Sequence, residues 1–260
     1  MIKKNIPNMI TLANLLCGIL SVLMCLKDNL VAASLFILLG IFFDFFDGYF
    51  ARLLKVGGDF GKELDSLADV VTSGIAPGFM MFQLIIFAQN GSWFGELNNS
   101  SDNWQSFAEN RYYFLPYIAF IIPLASAMRL AKFNIDQRQT DSFIGLATPA
   151  LSLLVSSIPL IYQYSKQTSF VHFFQSPVTL VAVTILGAIL MNSELKMFSL
   201  KFKDYSWKNN KVKFIFLITS VMLVVLFQFI AIPMIITIYI LFSFLENGSK
   251  KNSDRKTGVV

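Results

Sequence analysis

The chain has 260 residues, of which 55% are hydrophobic and only 14% are charged, and 27 of them are phenylalanine. This composition lies beyond the usual range of soluble globular proteins, so it excludes an ordinary soluble enzyme. The net charge of +5 does not indicate a nucleic-acid-binding protein, because the basic residues lie between apolar runs, where they orient membrane spans.

Apolar runs predict an all-α, polytopic membrane protein. Each is near the roughly 20 residues that a helix needs to cross the hydrocarbon core. The predicted spans are 9–26, 30–54, 64–88, 113–131, 145–164 and 177–192. A last apolar block, 214–245, is either one overlong tilted helix or a pair of short ones, and Gln228 and Pro233 near its middle favour a break. We therefore predict a helical bundle of about eight transmembrane helices.

The distribution of Lys and Arg predicts the orientation of these helices. With eight spans and both termini in the cytoplasm, 18 of the 21 basic residues fall in cytoplasmic segments. Only Lys27, Arg111 and Lys166 fall outside. A bias of this size is the usual determinant of membrane topology. A seven-span arrangement would place the basic C-terminal tail outside, which favours eight.

Four aspartates lie in the stretch from residue 44 to residue 69, inside or beside apolar segments. Asp44 and Asp47 are three apart, and Asp65 and Asp69 are four apart. On helices, each pair therefore lies on one face. An uncompensated carboxylate within a membrane span costs at least about 3 kcal/mol. A cation is expected among these four groups.

The ligand set narrows the kind of cation. All four side chains offer hard carboxylate oxygens, and no His or Cys is near them in the sequence. This favours magnesium, manganese or calcium over zinc or copper. Two carboxylate pairs suit two ions, the arrangement that clamps both oxygens of an in-line displacement at phosphorus. The stretch therefore indicates phosphoryl or phosphodiester chemistry at a membrane.

Eight residues of this stretch form the pattern D-x2-D-G-x2-A-R-x8-G-x3-D-x3-D. They are Asp44, Asp47, Gly48, Ala51, Arg52, Gly61, Asp65 and Asp69. This pattern resembles the signature of the CDP-alcohol phosphotransferase family. The segments IPNMITLANLLCGILS, ELDSLADVVTSGIAP, MRLAKFN and FIGLATPA are similar to the bacterial phosphatidylserine synthase branch of that family. The resemblance covers roughly residues 5–195. We divide the chain into a catalytic core, 1–195, and a C-terminal part, 196–260, with a basic segment, a transmembrane hairpin and a tail.

The resemblance implies an enzyme that transfers the phosphatidyl group of CDP-diacylglycerol to the hydroxyl of L-serine and releases CMP. It implies that Asp44, Asp47 and Asp65 hold Mg²⁺ or Mn²⁺, with two ions expected. Asp69 would help to bind one ion and act as the general base. The resemblance also implies a multi-pass homodimer of the bacterial inner membrane, whose active site faces the cytoplasm.

Other residues are candidate substrate contacts. Those expected to touch the CDP-alcohol are Asn8, Thr11, Asn14, Gly48, Ala51, Arg52 and Gly61. The glycines allow close approach to the backbone, and a guanidinium can bind phosphate oxygens in a bidentate way. An amino-acid acceptor needs a cation for its carboxylate, so Arg129, Lys132 and Asn134 are predicted to form part of the serine pocket.

Two alternatives remain at this stage. The acceptor could be another alcohol, glycerol 3-phosphate or inositol, although a phosphorylated acceptor calls for a denser basic pocket. The protein could instead be a membrane cation transporter whose acids line a permeation path. Transporters often have inverted repeats and helices broken at the midplane, whereas these acids cluster toward one membrane face.

Overall fold

A computed structural model describes residues 2–56, 58–93, 114–136, 144–197 and 206–256. These residues form a helical bundle, and the one β pairing within them is an isolated bridge between Ile144 and Lys196. The helices are α1 (Ile2–Leu26), α2 (Leu30–Leu54), α3 (Asp59–Val70), α4 (Ala76–Asn90), α5 (Ile121–Ile135), α6 (Thr148–Tyr164), α7 (Thr168–Gln175), α8 (Pro177–Asn192), α9 (Trp207–Phe227) and α10 (Ala231–Lys256). The predicted all-α fold is confirmed.

Helices α1 and α2 form an antiparallel hairpin that begins the bundle. Asp28 adopts a left-handed conformation with φ of 58°, and the Asn29 side chain accepts a hydrogen bond from the amide of Ala32 to cap α2. At its other end α2 stops at Lys55, which is also left-handed, with φ of 53°. The chain then enters α3 through the extended Gly58. This tight turn places the end of α2 beside the start of α3, where the aspartates lie.

A π-helical turn, Val71–Ile75, joins α3 to α4 and makes one mostly buried rod. Thr72 in this turn inserts between α1 and α2, and its hydroxyl donates to the carbonyl oxygen of Asn14 at 3.0 Å. Gly18 and Gly40 make room for it. A Cβ at Gly18 would lie 2.6 Å from Thr72 Oγ1, and one at Gly40 would lie 2.5 Å from Thr72 Cγ2. The rod is thus anchored one turn beyond Asp69.

The same rod packs closely against α5. A Cβ at Gly74 would lie 3.0 Å from the Cβ of Ser126, and one at Gly78 would lie 2.8 Å from Pro123 Cδ. The absence of side chains at these two glycines lets the helices approach, as small residues do between membrane helices. The rod therefore fixes α5, which carries Arg129, relative to the aspartates.

The C-terminal apolar block turns back on itself, as the break predicted near Gln228 requires. Gln228 has φ of 50° and starts a short 3₁₀ turn, Gln228–Ile230, between α9 and α10. The ring centroid of Phe216 lies 6.3 Å from that of Phe242. In one continuous helix these residues would be about 39 Å apart. The block is therefore a helical hairpin.

Length and composition support a membrane protein. The segments that qualify as spans are Asn5–Leu26, Leu30–Leu54, Asp59–Asn90, Leu115–Ile135 and Asn210–Phe244, and a sixth arises if α7 and α8, bent by 73°, are taken together. Large apolar side chains such as Leu16, Phe45 and Val225 are exposed, which suits a lipid environment. The predicted total of eight is not confirmed by this criterion, since α6 has 17 residues, α8 has 16, and the α9–α10 hairpin counts as one segment. It stays a prediction.

Replacing Gly40 by alanine should destabilise the bundle, because its Cβ would overlap Thr72 Cγ2. We expect a loss of about 1–3 kcal/mol, the usual cost of overpacking, seen as a lower thermal unfolding midpoint in detergent. Gly48→Ala, on the same helix but facing open space, should leave the midpoint unchanged or slightly higher. Adding Thr72→Ser to Gly40→Ala should restore part of the loss, because it removes the overlap with Thr72 Cγ2 but leaves Asn14 Oδ1 3.0 Å from the new Cβ. Equal midpoints for the two alanine variants would contradict this packing argument.

Candidate active site

The four aspartates converge where the end of α2 meets α3. Carboxylate oxygens of Asp44, Asp47 and Asp65 all lie within 4.8 Å of one another. Asp44 is also within hydrogen-bonding reach of both Asp65 and Asp69. Opposite ligands of an octahedral Mg²⁺ are about 4.2 Å apart, twice the usual metal–oxygen distance. The first three carboxylates are therefore close enough to share one cation.

The burial of these groups fits a divalent cation. Asp47 is 6% exposed and Asp69 is 8% exposed. Within the described residues, Asp65 Oδ1 is buried and has no hydrogen-bond partner. Such an oxygen is normally paired, and a hard cation held by oxygen ligands supplies the missing partner. The residues present thus suit a divalent metal, and they lack the His or Cys ligands that zinc or copper would favour.

Helix α1 holds two of the carboxylates by hydrogen bonds. Thr11 Oγ1 lies 2.7 Å from Asp47 Oδ2, to which it can donate, and 3.0 Å from the carbonyl oxygen of Pro7. Asn14 Nδ2 donates to Asp69 Oδ1 at 3.2 Å. Both side chains are fully buried or nearly so. Thr11 and Asn14, which the sequence predicts as nucleotide contacts, position the aspartates in this structure.

A cavity of about 240 Å³ opens beside Asp47 and Asp65. Five of the seven residues predicted to contact a CDP-alcohol line it, namely Asn8, Thr11, Gly48, Ala51 and Gly61. Lys62 and Gly58 complete much of the wall. The other two predicted contacts, Asn14 and Arg52, are not among the lining residues. We call this the first cavity.

Two glycines leave open space on the wall of the first cavity. A Cβ at Gly48 would meet nothing nearer than Arg52 Nη2 at 4.0 Å, and a Cβ at Gly61 would meet Asn8 Oδ1 at 3.5 Å. Packing within the protein therefore does not require glycine at either position. Arg52 donates from Nε to the carbonyl oxygen of Gly48 at 3.0 Å, which keeps its guanidinium at the rim of this space. A ligand can approach both the backbone and the guanidinium here.

A second cavity, of about 370 Å³, lies between the C-terminal ends of α5 and α8. Its wall consists of Arg129, Lys132, Ile135, Asp136, Ile144, Met191, Asn192, Ser193 and Glu194. Arg129 is 7% exposed and lies close enough to Asp69 to interact with it electrostatically. Arg129 thus joins the aspartate cluster to the second cavity.

The three residues predicted for the serine pocket do not all lie together. Arg129 and Lys132 line the second cavity, but Asn134 does not. The Asn134 side chain donates to Ser66 Oγ at 2.9 Å, and the backbone carbonyl oxygen of Asn134 accepts from Lys62 Nζ at 2.7 Å. Asn134 therefore ties the end of α5 to α3.

Several residues at the site escaped the sequence analysis. Thr148 Oγ1 accepts from Arg129 Nη1 at 3.3 Å, and the guanidinium lies 5.7 Å from the centroid of the Phe133 ring. Tyr239 of α10 also lies near Arg129. The segment containing Thr148 was noted only as part of a resemblance, and nothing local in the sequence connects Tyr239 with residue 129.

The chain matches the family described as CDP-alcohol phosphatidyltransferase over residues 4–245. It belongs to this family. The match confirms the resemblance predicted from the aspartate pattern. It also extends beyond residue 195 into the C-terminal hairpin, in agreement with the approach of Tyr239 to the site.

Family members with related sequences include two bacterial CDP-diacylglycerol–serine O-phosphatidyltransferases. The protein from Bacillus subtilis is 34% identical over 161 residues, which cover 60% of this chain and 76% of that protein. The protein from Helicobacter pylori is 27% identical over 242 residues, covering 92% and 90% respectively. A CDP-diacylglycerol–glycerol-3-phosphate 3-phosphatidyltransferase from Aquifex aeolicus is 37% identical over 67 residues, covering 26% and 38%.

Divalent cations should stabilise the folded protein through Asp65. A ligand present at 100 times its Kd stabilises the native state by about 2.7 kcal/mol, so Mg²⁺ or Mn²⁺ should raise the thermal unfolding midpoint of the wild type. Asp65→Asn should lose most of this rise, because a neutral amide replaces a charged ligand. Glu63→Gln, which changes an exposed carboxylate on the same helix, should keep it. Equal rises in all three proteins would exclude Asp65 as a metal ligand.

Proposed function

We propose that this protein transfers the phosphatidyl group of CDP-diacylglycerol to the hydroxyl of L-serine, forming phosphatidylserine and CMP. The observation that carries the proposal is the position of the buried aspartate cluster between two cavities. The first cavity offers backbone and polar groups for a nucleotide, and the second contains a buried arginine for an acidic acceptor. The names of the bacterial relatives favour serine as that acceptor.

The CDP group would occupy the first cavity. Asn8 and Thr11 from α1, and Gly48, Ala51 and Gly61 from the α2–α3 turn region, would contact it. Arg52 at the rim would bind phosphate oxygens, and the diphosphate would thereby lie beside Asp47 and Asp65. Asn14 would contribute through its hydrogen bond to Asp69.

The aspartates would hold divalent cations, Mg²⁺ or Mn²⁺, and four carboxylates suit two of them. When bound, such ions neutralise the diphosphate and stabilise the departing CMP. The protein's own part is to keep Asp44, Asp47, Asp65 and Asp69 together. Thr11, Asn14 and the insertion of Thr72 do this by fixing α1 against α2 and α3.

Asp69 would act as the general base. Its Oδ1 accepts from Asn14 Nδ2, and its other oxygen would take the proton of the serine hydroxyl. The serine oxygen then forms a bond to the phosphorus that carries diacylglycerol, and the bond from this phosphorus to the CMP oxygen breaks. Arg129, which interacts with Asp69, compensates its negative charge.

The serine carboxylate would bind Arg129 and Lys132 in the second cavity. Thr148 and Phe133 hold the Arg129 guanidinium from two sides, so it is preorganised for a carboxylate. Asn134 would be a positioning residue. Its contacts with Ser66 and Lys62 fix the wall of the second cavity against α3.

The position of the site in the membrane is inferred from the place of Asp44 along α2 and from the distribution of Lys and Arg residues. Counting about 1.5 Å per residue, Asp44 lies roughly 21 Å along α2 from Leu30, so the site is near one face of the bilayer. The Lys and Arg bias favours the cytoplasmic face of a bacterial inner membrane. There the acyl chains can stay in lipid while the diphosphate reaches the aspartates.

We also propose that the protein forms a homodimer and that residues 1–195 form its catalytic core.

Purified protein should release CMP from labelled CDP-diacylglycerol when serine is added with Mg²⁺ or Mn²⁺. Thin-layer chromatography of the labelled lipid identifies the product. Glycerol 3-phosphate and inositol, tested in parallel, should support less than a tenth of the serine rate, and excess chelator should stop the reaction. Preference for either of those alcohols would change the assigned acceptor. Absence of turnover with all three would contradict a transferase function.

Asp69→Asn should lower serine-dependent turnover by at least about 100-fold, the usual contribution of a general base. Binding of CDP-diacylglycerol should remain measurable, since three of the four carboxylates are unchanged. Glu63→Gln provides the matched control and should be active. Wild-type kcat in Asp69→Asn would remove this residue from the mechanism.

Gly48→Ala should weaken use of the nucleotide substrate without harming the fold. Its Cβ would enter the first cavity, where it meets no protein atom closer than 4.0 Å. Replacement of glycine within a helix by alanine adds about 0.5–1 kcal/mol of stability. We expect a rise of at least tenfold in the KM for CDP-diacylglycerol, with an unchanged KM for serine. An unchanged KM for CDP-diacylglycerol would show that the nucleotide does not pass over Gly48.

A further inference from the structure

Two residues that line the second cavity, Arg129 and Asn192, each have an unsatisfied polar atom, and the two atoms are of opposite hydrogen-bonding type. Arg129 Nε is a donor and Asn192 Oδ1 is an acceptor. Both are buried, and neither has a hydrogen-bond partner among the described residues. Buried polar atoms in native proteins are normally paired. A ligand in this cavity that offers both an acceptor and a donor would supply the missing partners.

The orientation of the Asn192 amide follows from its neighbours. Asn192 Nδ2 donates to the carbonyl oxygens of Ala125 at 3.0 Å and Ala188 at 3.4 Å. The reverse orientation would place the amide oxygen against two carbonyl oxygens, which cannot donate. The unpaired atom at this position is therefore an oxygen. Ala125 lies one helical turn before Arg129 on α5, so this hydrogen bond also links Asn192 to the helix that carries the arginine.

Backbone contacts hold this wall in place. The amide of Gly145 donates to the carbonyl oxygen of Leu195 at 2.8 Å, and that of Leu146 donates to Leu190 at 2.9 Å. Gly145 has φ of 72°, and a Cβ there would collide with the Met191 carbonyl group. The segment 144–148 thus fastens the end of α8 and, through Thr148, also fixes Arg129. One segment supports both unsatisfied side chains.

The charges around the cavity are mixed. Arg129 and Lys132 are cationic, whereas Asp136 and Glu194 are anionic. A phosphorylated alcohol would gain from the two cations but would be repelled by the two carboxylates. A zwitterion gains from both. Selection of this kind combines attraction for one ligand with repulsion of its competitor.

We propose that Asn192 receives the ammonium group of the amino-acid acceptor, in a cavity whose wall also contains the carboxylates of Asp136 and Glu194. The acceptor is then held at both ends, with its carboxylate on Arg129 and its ammonium group on Asn192. This proposal rests on the serine transferase function and names the specificity residue for it. It predicts that the enzyme rejects acceptors lacking either charged group.

The test compares L-serine with L-glycerate, which has a hydroxyl in place of the ammonium group at the same configuration, and with ethanolamine, which lacks the carboxylate. CMP release is measured at saturating CDP-diacylglycerol and Mg²⁺. For the wild type, kcat/KM for serine should exceed that for each analogue at least 100-fold. Use of glycerate as efficiently as serine would overturn the proposal while leaving the transferase function intact. Loss of the transferase function would instead appear as no CMP release with any acceptor.

Single substitutions then test which residues cause the preference for serine over glycerate. Asn192→Leu removes the amide oxygen and should raise the KM for serine at least tenfold. The KM for CDP-diacylglycerol should not change. The ratio of kcat/KM for serine to kcat/KM for glycerate should fall at least tenfold. Glu194→Gln, at an exposed position, should raise the serine KM about threefold, and Glu63→Gln should not change it. If the Asn192→Leu protein folds and keeps the wild-type ratio of kcat/KM for serine to kcat/KM for glycerate, Asn192 does not bind the ammonium group. If that variant does not fold, an unchanged serine KM in Glu194→Gln has the same consequence.

Discussion

The structure depends on keeping four carboxylates together within apolar helices. Such a concentration of negative charge is unfavourable in a membrane, so the surrounding residues must either neutralise it or hold it in place. Arg129 supplies a buried positive charge beside Asp69. Thr11 and Asn14 supply hydrogen bonds to Asp47 and Asp69. The remaining charge is what makes the cluster suited to divalent cations.

Close helix packing provides the rigidity that this arrangement requires. Thr72 enters a space left by Gly18 and Gly40, and its hydroxyl bonds to the backbone of Asn14. The π-helical turn that contains Thr72 begins two residues after Asp69, and such turns often occur at functional sites. The glycines therefore act on the chemistry indirectly, because they determine how near α3 can come to α1 and α2.

The two cavities divide the proposed reaction between separate parts of the chain. The first is built from the N-terminal three helices, and the second from the ends of α5 and α8. Lys62 and Asn134 join them, since Lys62 lines the first cavity and donates to the carbonyl oxygen at the end of α5. The C-terminal hairpin also reaches this region, since Tyr239 lies near Arg129.

The sequence alone determined the features that depend on local spacing. Helical periodicity placed each aspartate pair on one face, and apolar runs with a break near Gln228 predicted the bundle and its final hairpin. Tertiary structure decided which distant residues meet. The contacts between separate helical segments include those of Thr72 with Gly40, Arg129 with Thr148, and Asn192 with Ala125. The tertiary structure also directs the Asn134 side chain to Ser66, so that it does not line the second cavity. Helix geometry relates residues three or four apart, but the packing of one helix on another depends on side chains along both.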